Sequence, residues 1–205
     1  MAATTRPDPG SAAVARTAPV VITPMRRRHL RQVLRIDQQV YPRPWSLGLY
    51  LGELSTTDGR SYLVARRGTE VVGYAGLMVI AGDAHVTTVA VAPVHQHQGL
   101  ATRLLLVLAR EAVALGAERV TLEVRASNLH AQRLYSRFGF APAGIRKAYY
   151  VDNREDAVIM WAIDVGTAPY AERLARIEAS LPTPSVLQGV RSGDGTPVAR
   201  VEEDA

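Results

Sequence analysis

Val89-Ala90-Val91-Ala92-Pro93-Val94-His95-Gln96-His97-Gln98-Gly99-Leu100-Ala101-Thr102-Arg103-Leu104-Leu105 reads as a β-strand that ends at Pro93, a tight loop, and a helix that opens at Gly99. A strand feeding such a loop leaves unpaired backbone N–H groups at a helix N-terminus. Those donors and the positive end of the helix dipole suit an anionic phosphate. Gly99 and the small Ala101 let an anion approach the backbone closely. No Gly-Lys-Ser/Thr is present, which excludes a P-loop, and no Gly-x-Gly-x-x-Gly opens a dinucleotide-binding unit. The spacing alone leaves a plain strand-to-helix turn open as the other reading.

Working outward, the helix from Gly99 to Leu115 places Leu104, Leu105, Leu108, Ala112 and Leu115 on one face, and Gly116 ends it. Val120 to Val124 reads as the next strand. Ser127-Asn128 cap a helix containing Ala131, Leu134 and Tyr135, which Gly139 terminates. Two strands follow, Ala143 to Tyr150 and Asp156 to Ile163. Upstream, Ala84 to Val91 is preceded by Val71 to Ile80 and Ser61 to Arg67, joined by turns at Gly82-Asp83 and Gly68-Thr69-Glu70. Before them come a first strand at Val20-Val21-Ile22 and a helix from about Arg27 to Gln39. Tyr41-Pro42-Arg43-Pro44-Trp45 forbids its continuation, and Ser46 caps a short helix from Leu47 to Leu54.

The order β-α-α-β-β-β-α-β-α-β-β predicts an α/β (α+β) domain over residues 20–165. Its mixed, mostly antiparallel sheet has about seven strands and is flanked by about four helices. The one helical crossover makes the fourth and fifth strands a parallel pair, and such a pair can splay where a ligand inserts. Residues 1–19 read as a disordered leader. Residues 166–205 read as an extension with a helix from Tyr170 to Leu181 and a mobile, acidic end.

The 205 residues suffice for a sizeable core, and 47% hydrophobic with 21% charged residues is ordinary for a globular protein. No apolar run is long enough for a membrane span, and the N-terminus lacks the apolar core of a signal peptide, so the expected location is cytoplasmic. Without cysteine there is no disulfide, thiolate metal site or cysteine nucleophile. His95-x-His97 suits a solvated or phosphate-facing loop better than zinc, and no metal is expected. The formal charge of +5 is concentrated in Arg26-Arg27-Arg28-His29 with Arg31 and Arg35. That run favours a solvated helix face over an acidic or RNA partner, and no nucleic-acid motif accompanies it.

Two side chains stand out for chemistry. On the fifth strand Val120, Leu122 and Val124 point one way, and Thr121 and Glu123 the other. A carboxylate inside a covered sheet is costly unless paired, wet or functional, so Glu123 is either a structural ion pair or a reactive group. Tyr135 is either a packed aromatic or a phenol with a task. Trp45 beside its prolines is either a core plug or a substrate wall.

From Val20 to Val165 the chain resembles the GNAT acetyltransferases, and within them the RimI-type ribosomal-protein-alanine N-terminal acetyltransferases. Three segments carry the likeness. They are Val91 to Ala101, with the spacing Gln96-x-x-Gly99-x-Ala101; Leu122-Glu123-Val124-Arg125-Ala126-Ser127-Asn128 followed by Leu134-Tyr135 and Phe138-Gly139-Phe140; and Lys147-Ala148-Tyr149-Tyr150 with Glu155-Asp156-Ala157 and Met160. The resemblance implies direct acetyl transfer from acetyl-CoA to an amine. The acceptor it implies is the N-terminal α-amine of a protein, a ribosomal protein above all. A lysine side chain or small amine is the first alternative, and a CoA-sensing or ribosome-associated binding module the second.

The family's contacts fall on Val89 and Val91 for the pantetheine arm and thioester oxygen, and on Gln96, His97, Gln98, Gly99, Leu100, Ala101 and Thr102 for the pyrophosphate. They fall on Asn128 for the arm again, although Asn128 also serves as a plain N-cap. By the same likeness Glu123 is the general base and Tyr135 the general acid at the CoA sulfur. Pro44, Trp45, Tyr149 and Tyr150 wall the amine side, or else belong to the core. The family often carries arginine or lysine where this chain has His97 and Gln98. The strand from Ala84 to Val91 also looks like archaeal and eukaryotic N-terminal acetyltransferases.

Overall fold

Residues 19–56 and 58–190 are described by the structure, a computed structural model. The leader, apart from Pro19, and the acidic end from residue 191 lie outside the described residues. Eight strands form one sheet: β1 (Val21–Pro24), β2 (Arg60–Arg67), β3 (Glu70–Ile80), β4 (Asp83–Val91), β5 (Arg119–Arg125), β6 (Ala141–Tyr150), β7 (Glu155–Ala162) and β8 (Val186–Leu187). Their order is β6-β7-β5-β4-β3-β2-β1-β8. All neighbours are antiparallel except β4 with β5 and β1 with β8. Among the described residues the helices are α1 (Leu30–Val40), α2 (Leu47–Ser55), α3 (Leu100–Ala114), α4 (Leu129–Arg137) and α5 (Ala168–Ala179).

Strand alternation splits the core in two. Leu63, Ala65, Val72, Leu122 and Val124 join Leu104, Leu105 and Leu108 of α3 and Leu174 and Ile177 of α5 in the main cluster. Tyr62, Val64, Val71 and Tyr74 face the other way, onto Leu30, Val33 and Ile36 of α1 and Tyr50 of α2. Trp45 packs against this second cluster, 5.2 Å from the Tyr50 ring and 6.4 Å from that of Tyr62. Its backbone N–H donates to Asp37 at 2.6 Å, a buried carboxylate that also accepts from the Tyr74 hydroxyl. Trp45 therefore plugs the core and fixes the proline turn between α1 and α2.

One feature of the sheet opens the site. The β3–β4 register shifts between Gly76 and Leu77, so that Gly76 opposes Thr88 and Leu77 opposes Val86. The extra residue, Thr87, is a bulge that bends and twists β4. Beyond it β4 parts from β5: the parallel ladder is limited to Asp83, Ala84 and His85 opposite Arg119, Val120 and Thr121.

The eighth strand comes from a stretch that the sequence reading made mobile. Residues 182–190 instead run back along β1, with Val186 N–H on Val20 O at 2.9 Å and Gln188 N–H on Ile22 O at 3.0 Å. Burial of Val190 in the main core offsets the cost of ordering them.

Candidate active site

The edge of β4 that faces the gap is available to a ligand. Ala92 N–H bonds Val72 O at 3.0 Å, so the even-numbered residues of this end serve the β3 ladder and Val89 and Val91 face the gap. Side chains hold their carbonyls. The Tyr41 hydroxyl donates to Val89 O at 2.9 Å, and Gln96 Nε2 donates to Val91 O at 3.2 Å. Their N–H groups thus line a strand edge that no β5 residue reaches.

At the end of that edge the chain turns sharply. His97 (φ 60°) and Gly99 (φ 75°) are both left-handed, and Gly99 is the N-cap of α3. A non-glycine residue in this region stores strain, which ligand loops commonly do. Among the described residues no side chain caps α3, which leaves the first-turn N–H groups of Leu100, Ala101 and Thr102 open to an anion. A cleft of about 660 Å³ runs past these groups between β4, the loop and α4.

Of the residues that the sequence reading assigned to the cofactor, the cleft gathers Val89, Val91, Gln96, His97, Gly99, Leu100, Ala101, Thr102, Asn128 and Tyr135. Gln98 is absent from its lining: the Gln98 side-chain oxygen accepts from Arg67 at 2.7 Å, which points it away from the cleft. Asn128 is a true N-cap, its Oδ1 accepting from Ala131 N–H at 3.1 Å, and also lines the cleft. The cleft also takes in His95, read from the sequence as solvated or phosphate-facing, and adds groups that the sequence reading did not single out: His130, Arg133 and Arg137. The helical spacing of Arg133 and Arg137 was the available signal, since residues four apart share a helix face.

The Glu123 side chain is 9% exposed, two residues past the last β4–β5 register pair, and is not among the residues that line the cleft. Its Oε2 lies 2.6 Å from His85 Nε2 and its Oε1 lies 3.2 Å from the Arg146 guanidinium. His85 and Thr121 are register partners, so His85, Thr121 and Glu123 share one face. Both readings of Glu123 thus have support, since it is paired and also stands where the sheet parts.

Tyr135 packs from the other side, its ring 5.9 Å from Phe140. Its hydroxyl makes no hydrogen bond with the described residues. Burial first, then the Tyr41 and Tyr150 phenols, push its pKa well above the ordinary value, so the phenol keeps its proton.

On the amine side, none of Pro44, Trp45, Tyr149 and Tyr150 lines this cleft. Pro44 is exposed. The Tyr149 and Tyr150 rings meet edge to face at 5.2 Å, and the Arg125 guanidinium lies 3.9 Å over Tyr150. Burial, opposed by Arg125, pushes the Tyr150 phenol up to about 12, with Tyr149, Tyr41 and Glu123 adding to the rise. Arg125 also bonds both Asp152 oxygens at 2.9 and 3.0 Å and Glu155 at 3.1 Å, bolting the β6–β7 turn to the end of β5. Contacts from Ser127, then from Arg125 and Asn153, hold the Glu155 carboxyl down at about 2. Among the described residues, no three His, Asp or Glu side chains gather to hold a metal, and no helix is long and apolar enough to cross a membrane.

The chain matches the Acetyltransferase (GNAT) family over residues 30–140. It is 39% identical over 141 residues to a Bacillus subtilis protein provisionally named a ribosomal protein bS18-alanine N-acetyltransferase, covering 67% of this chain and 91% of that protein. It is 35% identical over 144 residues to the Escherichia coli K12 ribosomal protein bS18-alanine N-acetyltransferase, covering 68% and 94%. The crystal structure of the Escherichia coli ribosomal-protein-S18-alanine N-acetyltransferase superposes with a TM-score of 0.65 at 31% identity, covering 71% of this chain and 94% of that one. Fold, cleft and relatives together define an acetyl-CoA-dependent N-acetyltransferase. The chain belongs to the GNAT acetyltransferase family.

Acetyl-CoA suits the groups present. The uncapped N–H groups at the start of α3 are of the kind that suits an anionic diphosphate, and the free strand edge at Val89 and Val91 is of the kind that suits an amide-bearing arm. Arg133 and Arg137 line the same cleft, and the loop itself carries no Arg or Lys.

Proposed function

We propose that this protein acetylates the N-terminal α-amine of a protein, with a ribosomal protein of the bS18 type as acceptor, Glu123 as general base and Tyr135 as general acid. The observation that carries the proposal is the Glu123 carboxylate, nearly buried and held by two side chains where β4 and β5 part. Identity of 35–39% to relatives named for bS18-alanine acetylation supports the acceptor.

Bound acetyl-CoA supplies the acetyl group as a thioester. The chain's own groups do the rest. The loop from Gln96 to Thr102, less the side chain of Gln98, holds the diphosphate. The N–H groups of Val89 and Val91 would line the arm, and one of them would donate to the carbonyl oxygen, where a fixed donor favours developing negative charge. Glu123 accepts the amine's proton, and His85 and Arg146 keep its carboxylate oriented. Tyr135, protonated and with no hydrogen-bond partner among the described residues, gives its proton at the sulfur. Tyr150, clamped by Arg125, walls the acceptor side.

An α-amine, with a pKa of about 8, needs less help than lysine at about 10.4. The test is mass spectrometry of peptides incubated with acetyl-CoA. A peptide with a free N-terminal alanine should gain one acetyl group at that end. Acetylation of an N-terminally blocked peptide on an internal lysine at an equal or greater rate would overturn the proposal.

A further inference from the structure

The segment from Gly166 to Val190 lies beyond the family match at residues 30–140, yet it touches the elements that frame the Gly99 end of the cleft. Arg137, which lines the cleft, donates to Ser180 Oγ at 3.3 Å. Leu181 Cδ2 stands 3.8 Å from where a Cβ on Gly99 would be. Arg103 N–H bonds Gly99 O at 3.0 Å, one turn into α3. The Arg103 side chain donates to Ser185 Oγ at 2.9 Å and to Thr183 Oγ1 at 3.0 Å. Farther back, Glu178 takes Arg110 with both oxygens, at 3.1 and 2.7 Å.

Arg103 is the unusual member. It is 2% exposed, and among the described residues its Nε is buried without a partner and its other guanidinium nitrogens donate to two neutral hydroxyls. It also stands in the first turn of α3, where the helix dipole disfavours a cation. Burial first, and then the Arg67 guanidinium, lower its pKa from the ordinary arginine value. Arg103 is not itself among the residues lining the cleft, but an anion at the N-terminus of α3 would offset the charge and dipole part of these costs. The loop brings such an anion no cation of its own, since no Arg or Lys lies between Gln96 and Thr102 and Gln98 is turned onto Arg67.

We propose that residues 166–190 form a strap that completes the diphosphate end of the cofactor site, its hydroxyls at Ser180, Thr183 and Ser185 fixing Arg137 and Arg103 so that their charges stand beside Gly99. The strap residues are positioning residues acting through the two arginines. The inference rests on the diphosphate lying at Gly99.

The experiment is calorimetric titration of CoA into the full chain and into the triple variant Ser180→Ala, Thr183→Val, Ser185→Ala, at low and high salt. The wild type should bind CoA, and the variant about five- to tenfold more weakly at low salt, with a smaller loss at high salt. kcat/KM with S-acetylpantetheine, which carries no phosphate, should match the wild type. Unchanged CoA affinity overturns the strap's role, as does an equal loss with S-acetylpantetheine, which would mark general disorder. Should the triple variant melt below the assay temperature, the double variant Thr183→Val, Ser185→Ala takes its place. It must then show the same weakened CoA binding with S-acetylpantetheine turnover intact, and either unchanged CoA affinity or an equal loss with both thioesters overturns the strap. Failure of the wild type to bind CoA would instead sink the cofactor site on which the inference stands.

Discussion

Replacing Glu123 by Gln removes the proton acceptor and keeps the side chain's shape. At pH 7 an α-amine of pKa about 8 is neutral in roughly one molecule in ten. If Glu123 only strips the ammonium proton before attack, the variant loses about tenfold at pH 7 and recovers near pH 9. If it accepts the proton during attack, as proposed, the loss is about 10²–10⁴-fold, or ~2.7–5.5 kcal/mol of barrier, and persists at pH 9. The fold should tolerate the change, because Arg146 is 54% exposed and free to turn to water and Gln still reaches His85. A cost of about 1 kcal/mol would lower the melting temperature by only ~2–4 °C in a chain of this size. The assay is steady-state acetylation of an alanine-initiated peptide from pH 6.5 to 9.5, with CoA affinity measured by titration. A kcat within about threefold of wild type at all pH values would refute the reasoning. So would a fall in CoA affinity as large as the fall in kcat.

Tyr135→Phe keeps the packing against Phe140 and should lower kcat about 10²–10³-fold with CoA affinity unchanged; a wild-type kcat removes the phenol from the mechanism. Because burial raises that phenol's pKa, wild-type kcat should show no fall from Tyr135 ionising up to about pH 10, which an alkaline rate profile checks. Gly99→Ala meets no clash, Leu181 being 3.8 Å away, but forces alanine to a φ of 75°. It should cost ~1–2 kcal/mol of stability by urea unfolding and weaken CoA binding measurably. His29 is buried and held down to about 4, by burial first and then by Arg28, Arg66 and Arg26. Its folded pKa lies below its unfolded value of 6.5, so its contribution is level above pH 6.5 and stability is lost as pH falls from about 6.5 to about 4. His29→Gln should flatten urea midpoints across that window; an unchanged slope would remove His29 as the cause.

Much of the fold was legible because periodicity is local. The alternation on β5 placed Leu122 and Val124 inward and Glu123 on the opposite face before any fold was known, and both valine and leucine are buried there. Ser46 and Asn128 cap their helices as read, since a cap depends only on its own turn. The partners of Glu123 were not legible. His85 lies 38 positions away and Arg146 on another strand, and register between distant strands depends on side-chain packing that no single strand encodes. Trp45 was undecided for a similar reason: only the buried Asp37 and the Tyr50 and Tyr62 rings make it a plug.

Element order, family resemblance and the residue types at the turn before α3 could all be read from the chain alone, because strands, helices and caps follow from neighbours a few positions apart. The folded molecule was needed to show that Thr87 bulges and parts β4 from β5, that Gln98 turns away from the cleft, and that residues 182–190 return to pair with β1. Each of these is settled by contacts between segments far apart in the chain, whose strength depends on burial and shape that appear only once the sheet has closed.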